Sequence, residues 1–229
     1  MKALRILLIV LLSITSVFML LGGIGTSCVA LDAAKYGEKM APLASYQWLY
    51  MAFVILTTGA GLAGIWSVVG LVRKKNWGYN RALWSLLAGS IVGGVHMVVS
   101  NTLRGSSAPA NMVFYFTVFT LLVFLIVRLT PAGKSTLWNK PSNPDDPLIE
   151  GGAALVSCGL LILSTPIWAM PTHILVGQNW VNQLLIPLLL VGGMMMFYGL
   201  WLLKNATQDH LLHWKHHENV GQIIQHIVE

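Results

Sequence analysis

The chain has 229 residues, of which 55% are hydrophobic and 10% are charged, and its formal net charge is +6. A soluble domain carries about 25% charged residues, so this chain has too few polar side chains to cover a surface in water. The composition excludes an ordinary soluble protein and indicates an integral membrane protein.

Six apolar segments are each long enough to cross a hydrocarbon core of about 30 Å as a helix of roughly 20 residues. None of them contains Asp, Glu or Lys. No segment alternates in the manner of a lipid-facing barrel strand, so helices are the predicted form. The predicted fold is all-α, a polytopic bundle of six transmembrane helices at Ala3–Gly25, Trp48–Val72, Ala82–Ser100, Met112–Leu129, Gly152–Pro171 and Leu184–Leu203.

Lys and Arg are distributed unevenly around these segments. Eleven of the 14 lie near the two termini or in or beside the second and fourth gaps, and three lie in the first and third gaps. Cytoplasmic loops carry the excess of basic residues, so both termini are predicted to be cytoplasmic. The positive charge thus reflects topology, and no nucleic-acid partner is expected. The expected partners are the lipid bilayer and other membrane subunits, in the plasma (inner) membrane of a prokaryote.

The first segment also has the basic start and apolar stretch of a signal peptide. Its apolar stretch runs from Ile6 to Gly23, longer than the usual signal core of about 7–15 residues. No clean A-x-A site follows it. We therefore expect a retained transmembrane helix.

A polar stretch divides the chain into unequal parts. Residues 130–151 contain four prolines, and proline at this density disfavours a helix interior. We predict a cytoplasmic linker over 130–151 between a four-helix unit (1–129) and a two-helix hairpin (152–204). Residues 205–229 are predicted to form a cytoplasmic, His-rich amphipathic tail.

The third segment places small and polar residues on one helical face. Gly89 and Gly93 form a GxxxG pair, which lets helices approach closely in lipid. We predict that they pack against a small face of the second segment that includes Gly59 and Ala63.

Aromatic residues flank two of the segments. Tyr46, Trp48 and Tyr50 lie at the outer start of the second segment, and Trp77 and Tyr79 lie at the inner start of the third. Trp and Tyr concentrate at the depth of the lipid headgroups, so these residues are predicted to anchor the helices there.

His96 lies well inside the third segment, and ionisable residues within a membrane are functional candidates that usually point into the bundle. Arg104 falls near the same face at the outer end of the helix. Asn101, Asn111 and His173 are expected on the same side of the membrane. These five residues are predicted to form an outer polar cluster that binds a ligand.

Three interpretations of the outer polar cluster stay open. In the first, a neutral His96 is hydrogen-bonded to a neighbouring helix and Arg104 reaches the lipid headgroups. In the second, the cluster binds a quinone or a lipid headgroup, with His96 bonded to a carbonyl and Arg104 donating to an anion. In the third, His96 and His173 ligate haem.

Histidines recur at helical spacing near the end of the chain. His210, His213 and His217 are at i, i+3 and i+7, which places them on one face of a helix. Imidazole is a ligand for Zn²⁺, so this face is a candidate metal site. The alternative is an amphipathic helix on the inner membrane surface.

The sequence contains no P-loop, nucleophile elbow, HExxH or CxxC motif. The leading prediction is a non-catalytic membrane protein, either an accessory subunit or a binder of a lipid-soluble ligand at the outer polar cluster. The enzyme alternative is a quinone- or haem-linked redox subunit that uses His96. A small-solute transporter is the third possibility.

Overall fold

The structure, a computed structural model, describes residues 2–38, 40–131, 133, 146–169, 174–175 and 178–228. Within these ranges, side chains are described except at Asp146, at 174–180 and at 209–228.

Long helices account for most of the described chain. They are α1 (Lys2–Asp32), α2 (Gln47–Val72), α3 (Gly78–Arg104), α4 (Ala110–Leu129), α5 (Asp146–Ala169) and α7 (Leu185–Val228). The short elements are two 3₁₀ helices (Ala33–Tyr36 and Ala41–Tyr46), an antiparallel pair of two-residue strands, β1 (Ile174–Leu175) and β2 (Gln178–Asn179), and a single turn, α6 (Trp180–Gln183).

Six helices of the described chain are long and apolar enough to cross a membrane. Each of the six predicted segments overlaps one of them, which confirms the predicted all-α bundle. The protein is therefore a multi-pass membrane protein. The cytoplasmic placement of its termini stays a prediction, and "outer" and "inner" below refer to that predicted orientation.

α1 lies at the centre of the bundle and packs against α2, α4 and α5. In the most apolar stretch of α1, 50% is buried inside the protein, whereas in that of α7 only 11% is buried. α7 therefore turns most of its surface toward lipid. The main core brings α1 residues such as Leu12 and Met19 together with Leu86 of α3 and Phe124 of α4. The first segment thus supplies much of the core.

α5 and α7 form an antiparallel hairpin whose glycines allow close backbone contact. A methyl group added to Gly159 would come within 2.7 Å of the carbonyl oxygen of Gly192. One added to Gly199 would come within 2.8 Å of the carbonyl oxygen of Gly152. Because α5 also packs on α1 and touches α2, the hairpin lies against these two helices.

α5 begins at Asp146, inside the range predicted to be a linker. Pro147 does not prevent this, because proline is tolerated in the first turn of a helix, where its missing N–H has no intrahelical partner. Residues 134–145 lie outside the described residues. The division of the chain into a four-helix unit, a linker and a hairpin stays a prediction.

The glycine face of α3 points into the bundle, but toward other helices than predicted. A methyl group on Gly89 would collide with Met19 of α1, and one on Gly93 would lie 3.5 Å from Phe114 of α4. Gly89 therefore makes room for α1, and Gly93 faces α4 at ordinary contact distance.

The predicted partners on α2 do not pack, which corrects the prediction. An added methyl group on Gly59 would meet no atom within 4 Å, and Ala63 is exposed. α2 instead turns Gly61 and Gly64 inward, against Ser16 of α1. α2 carries small residues on more than one face, so their spacing alone could not identify the face that packs.

Two of the predicted aromatic anchors lie inside the protein, and the prediction is wrong for them. Tyr46 and Trp48 are exposed, as an anchor must be, but Tyr50 and Tyr79 are only 2% and 3% exposed. The Tyr79 hydroxyl donates to the carbonyl oxygen of Phe124 at 2.6 Å. A phenol can be buried at this position because it finds an acceptor in the core.

Candidate functional site

A pocket lies at the outer end of the bundle, where α1, α2, α3 and the loop before α4 meet. Its volume is about 60 Å³. One water molecule needs about 10–15 Å³ of such space, so the pocket accommodates a small chemical group. The lining residues that matter most for its chemistry are Val29, Met40, Leu43, Tyr50, His96 and Arg104.

Two aromatic rings of α2 hold the imidazole of His96 in place. The Phe53 ring stacks on it with centroids 4.6 Å apart and an interplanar angle of 21°. The Tyr50 ring meets it edge-on, with centroids 5.4 Å apart and an angle of 87°. His96 is 9% exposed and makes no hydrogen bond with another residue of the described chain. Its ring is therefore oriented by packing, and its polar atoms are available to a ligand.

The Tyr50 hydroxyl already forms a hydrogen bond within the protein. Its oxygen lies 2.8 Å from the Ser100 Oγ, and either group can donate the proton. Ser100 is fully buried one helical turn beyond His96 on α3. The bond satisfies two buried hydroxyls and joins α2 to α3 beside the pocket.

Arg104, the last residue of α3, provides the positive charge of the pocket. Its Nη2 donates to the Ala108 carbonyl oxygen at 2.5 Å, and its Nη1 lies 3.6 Å from the Met40 sulfur. Its Nε is buried and has no hydrogen-bond partner in the described part of the protein. An arginine offers five N–H donors, so this guanidinium retains donors for a ligand.

Neutralising carboxylates are absent from the pocket lining, within the part of the chain that the structure describes. Arg104 takes part in neither of the ion pairs Arg5–Glu150 and Lys35–Asp32. Arg104 therefore keeps an uncompensated positive charge, half-buried at the outer end of the bundle.

The remaining members of the predicted outer polar cluster do not join His96 and Arg104. Asn101 is exposed, and the Asn111 side-chain oxygen accepts a hydrogen bond from the Met112 backbone N–H at 2.9 Å. Neither residue lines the pocket. His173 lies outside the described residues. The structure thus brings together two of the five predicted residues.

Four pocket neighbours were missed from the sequence: Met40, Tyr50, Phe53 and Ser100. Tyr50 and Phe53 are at i and i+3 on α2, and His96 and Ser100 are at i and i+4 on α3. This spacing places each pair on one helical face. The spacing indicated one cluster on α2 and another on α3. Spacing within one helix does not show which other helix packs against that face.

The geometry separates the three interpretations of His96. Its neighbours are aromatic rings, and no hydrogen bond joins it to a described residue of another helix. The described pocket is smaller than the about 300–1,000 Å³ that is usual for large ligands, and His173, the second haem ligand of the third interpretation, lies outside the described residues, so that interpretation stays a prediction. A small polar group between His96 and Arg104 is the occupant that the pocket fits.

The predicted metal face lies on a helix, because α7 continues to Val228 through His210, His213 and His217. The side chains of these histidines lie outside the described residues, so the Zn²⁺ site stays a prediction. Among the side chains that the structure does describe, no group of three His, Cys, Asp or Glu residues could hold a metal ion.

A second polar site, at the inner end of the bundle, was not predicted. The Arg5 Nε donates to the Glu150 Oε1 at 2.5 Å, and the Arg5 Nη2 donates to the Leu71 carbonyl oxygen. The two charged side chains are 9% and 5% exposed. The ion pair joins α1 to α5, and the hydrogen bond to Leu71 joins α1 to α2.

No protein-family model, no curated protein and no solved structure matches this chain.

Proposed function

We propose that this membrane protein is a non-catalytic binder of a lipid-soluble ligand, which it holds in the outer pocket through Arg104 and His96. The observation that carries the proposal is the guanidinium of Arg104, which forms no ion pair with a described residue, in a pocket whose described lining contains no carboxylate. A charge removed from water without a partner is costly, so a ligand that brings an acceptor oxygen gains free energy at this position.

The pocket walls favour a ligand that also has an apolar part. Val29, Leu43 and Met40 face the same space as His96 and Arg104. The pocket lies where four membrane-crossing helices end or begin, which is the depth at which a lipid-soluble molecule would present its polar group.

The surroundings of His96 favour binding over catalysis. A histidine that transfers protons is normally oriented by a hydrogen bond to a carboxylate or a carbonyl group. Here the ring is oriented by Tyr50 and Phe53, and no carboxylate of the described chain lines the pocket. An accessory role within a larger membrane assembly is compatible with such a binding site.

A quinone is the second candidate ligand, because the polar atoms of His96 have no hydrogen-bond partner in the described chain. One quinone carbonyl would then accept a hydrogen bond from the imidazole. This alternative makes the protein part of a redox system, and a bound quinone would be recognised by its absorption and by reversible reduction in the purified protein.

Photolabelling of the full chain in lipid nanodiscs tests the proposed function. A set of long-chain diazirine probes with carboxylate, alcohol, phosphate and quinone head groups should label peptides that line the pocket. Val29→Phe, which narrows the pocket, should reduce this labelling severalfold. The matched control is Ile24→Phe on the exposed side of α1, which should label as the wild type does.

Pocket labelling that is the same in both variants, or is absent with every probe, would overturn the proposal. Labelling elsewhere on the helices reports only general contact with lipid.

A further inference from the structure

We infer that the occupant of the outer pocket is a single-chain amphiphile with a carboxylate head group, held by the guanidinium of Arg104. This inference rests on the proposed function and specifies the chemistry of its ligand.

The charge of the site favours an anion. Arg104 contributes a full positive charge, and the nearest acidic groups in sequence on the outer side are occupied or exposed: Asp32 pairs with Lys35 at 3.0 Å, and Glu38 is exposed. None of these carboxylates lines the pocket. An anionic ligand therefore meets a cation that no described side chain neutralises.

The donor geometry favours a planar head group. Nη2 is bonded to Ala108 and Nη1 lies near the Met40 sulfur, which is a weak acceptor, whereas Nε has no partner. A carboxylate binds the guanidinium fork through two parallel N–H···O bonds. Nη1 and Nη2 form the end of this fork, and each keeps a donor hydrogen beyond its present contact, whereas the buried Nε is closed to a water-sized molecule.

The size of the pocket favours a small head group. A volume of about 60 Å³ holds roughly four water-sized groups. A carboxylate is one carbon with two oxygens, and it fits with the first methylene groups of its chain. A phosphodiester adds two further oxygens and a second substituent, so a phospholipid head group fills this volume less readily than a carboxylate does.

The other walls accommodate the remainder of the ligand. His96 can donate to a carboxylate oxygen, and its orientation is fixed by Phe53 and Tyr50. The Tyr50 hydroxyl is bonded to Ser100, which leaves its ring as an apolar surface toward the pocket. Methylene groups then pack against Val29 and Leu43.

Competition between head groups tests the inference. The full chain is placed in phosphatidylcholine nanodiscs and exposed to a diazirine-bearing C16 fatty acid, or to its alcohol or monophosphate ester of equal chain length. The carboxylate probe should label the pocket most strongly. Arg104→Gln should reduce its labelling about tenfold, because a lost charge-assisted hydrogen bond of about 1.5 kcal/mol corresponds to that factor.

Three further variants show how far labelling depends on the charge of Arg104, on the planar guanidinium group and on effects of substitution in general. Arg104→Lys keeps the charge and loses the fork, so its labelling should be intermediate. His96→Phe keeps an aromatic ring and loses the imidazole donor, so labelling should fall by a smaller factor. The matched control is Arg128→Gln, an exposed arginine at the inner end of α4, which should not change labelling.

The outcomes distinguish this inference from the proposed function. Equal pocket labelling by alcohol, phosphate and carboxylate, unchanged in Arg104→Gln, overturns the carboxylate head group and leaves the binding function in place. Displacement of the fatty-acid probe by millimolar acetate points to a water-soluble carboxylate and overturns the amphiphile. Absence of pocket labelling with every head group removes the binding function itself.

Discussion

The Arg5 guanidinium and the Glu150 carboxylate lie 2.5 Å apart, although 145 positions separate them in the sequence. Arg5 is near the start of α1 and Glu150 is in the first part of α5, so the pair connects the first helix of the chain to the hairpin. The second bond from Arg5 to the Leu71 carbonyl adds the end of α2. One arginine thus joins three helix ends at the inner side of the bundle.

Removing one partner of this pair should destabilise the protein. Arg5→Ala or Glu150→Ala removes one charge of a buried ion pair, which costs about 3–5 kcal/mol. Replacing both residues by Met should recover much of the loss, because neither charge of the pair then remains buried. Unfolding in detergent measures the free energies, and Arg73→Ala, an exposed arginine at the same end, serves as the control. Equal effects of Arg5→Ala and Arg73→Ala would show that the pair contributes no specific stability.

The sequence was sufficient for the number and type of helices, because the membrane demands long apolar segments and excludes charge from them. It did not reveal the Arg5–Glu150 pair. Arg5 matched the basic flank that sets topology, and Glu150 fell in a Pro-rich stretch. Neither pattern indicates which two helix ends meet, since that depends on how the bundle closes.

The outer pocket was predicted only in part, again because the sequence does not show which helices meet. His96 and Arg104 stood out because an ionisable group in or near the membrane is costly and must be accommodated. Tyr50 matched an interfacial anchor equally well, and only its contact with His96 and Ser100 reveals its place in the core. Helical periodicity identifies faces, but the pairing of faces requires the three-dimensional structure.

Two adjacent glycines on α7 should respond oppositely to the same change. Gly192→Ala places a methyl group 2.9 Å from the Leu163 side chain and 3.0 Å from the Gly159 carbonyl oxygen. Such overpacking typically costs about 1–3 kcal/mol. Gly193→Ala meets no atom within 4 Å and should be neutral or stabilising by up to about 1 kcal/mol, because alanine has the higher helix propensity.

Thermal unfolding of the two glycine variants in the same detergent provides the comparison. A loss of stability in Gly193→Ala as large as that in Gly192→Ala would contradict the close packing of α5 on α7.

The hydrogen bond between Tyr50 and Ser100 should be measurable as a coupling. Tyr50→Phe removes the phenolic oxygen and leaves the buried Ser100 hydroxyl without this partner, at a cost of about 1–3 kcal/mol. Ser100→Ala should cost a similar amount. The double variant should be less destabilised than the sum of the two single variants, because both polar groups are then absent. Strict additivity in detergent unfolding would indicate that the two hydroxyls do not interact.

Zinc binding at the end of α7 is the last prediction, and it depends on the helix continuing through the three histidines. The full chain in detergent should bind Zn²⁺ and release protons, because imidazole ligands must be neutral to coordinate. His213→Ala removes the middle position of the i, i+3, i+7 pattern and should lower the affinity about tenfold or more, by analogy with the loss of other metal-site groups. His226→Ala, which lies outside that pattern, should leave affinity and proton release unchanged. Isothermal titration calorimetry in two buffers of different ionisation enthalpy measures both quantities. A titration without heat, or equal losses in the two variants, would favour the amphipathic membrane-surface helix as the role of this segment.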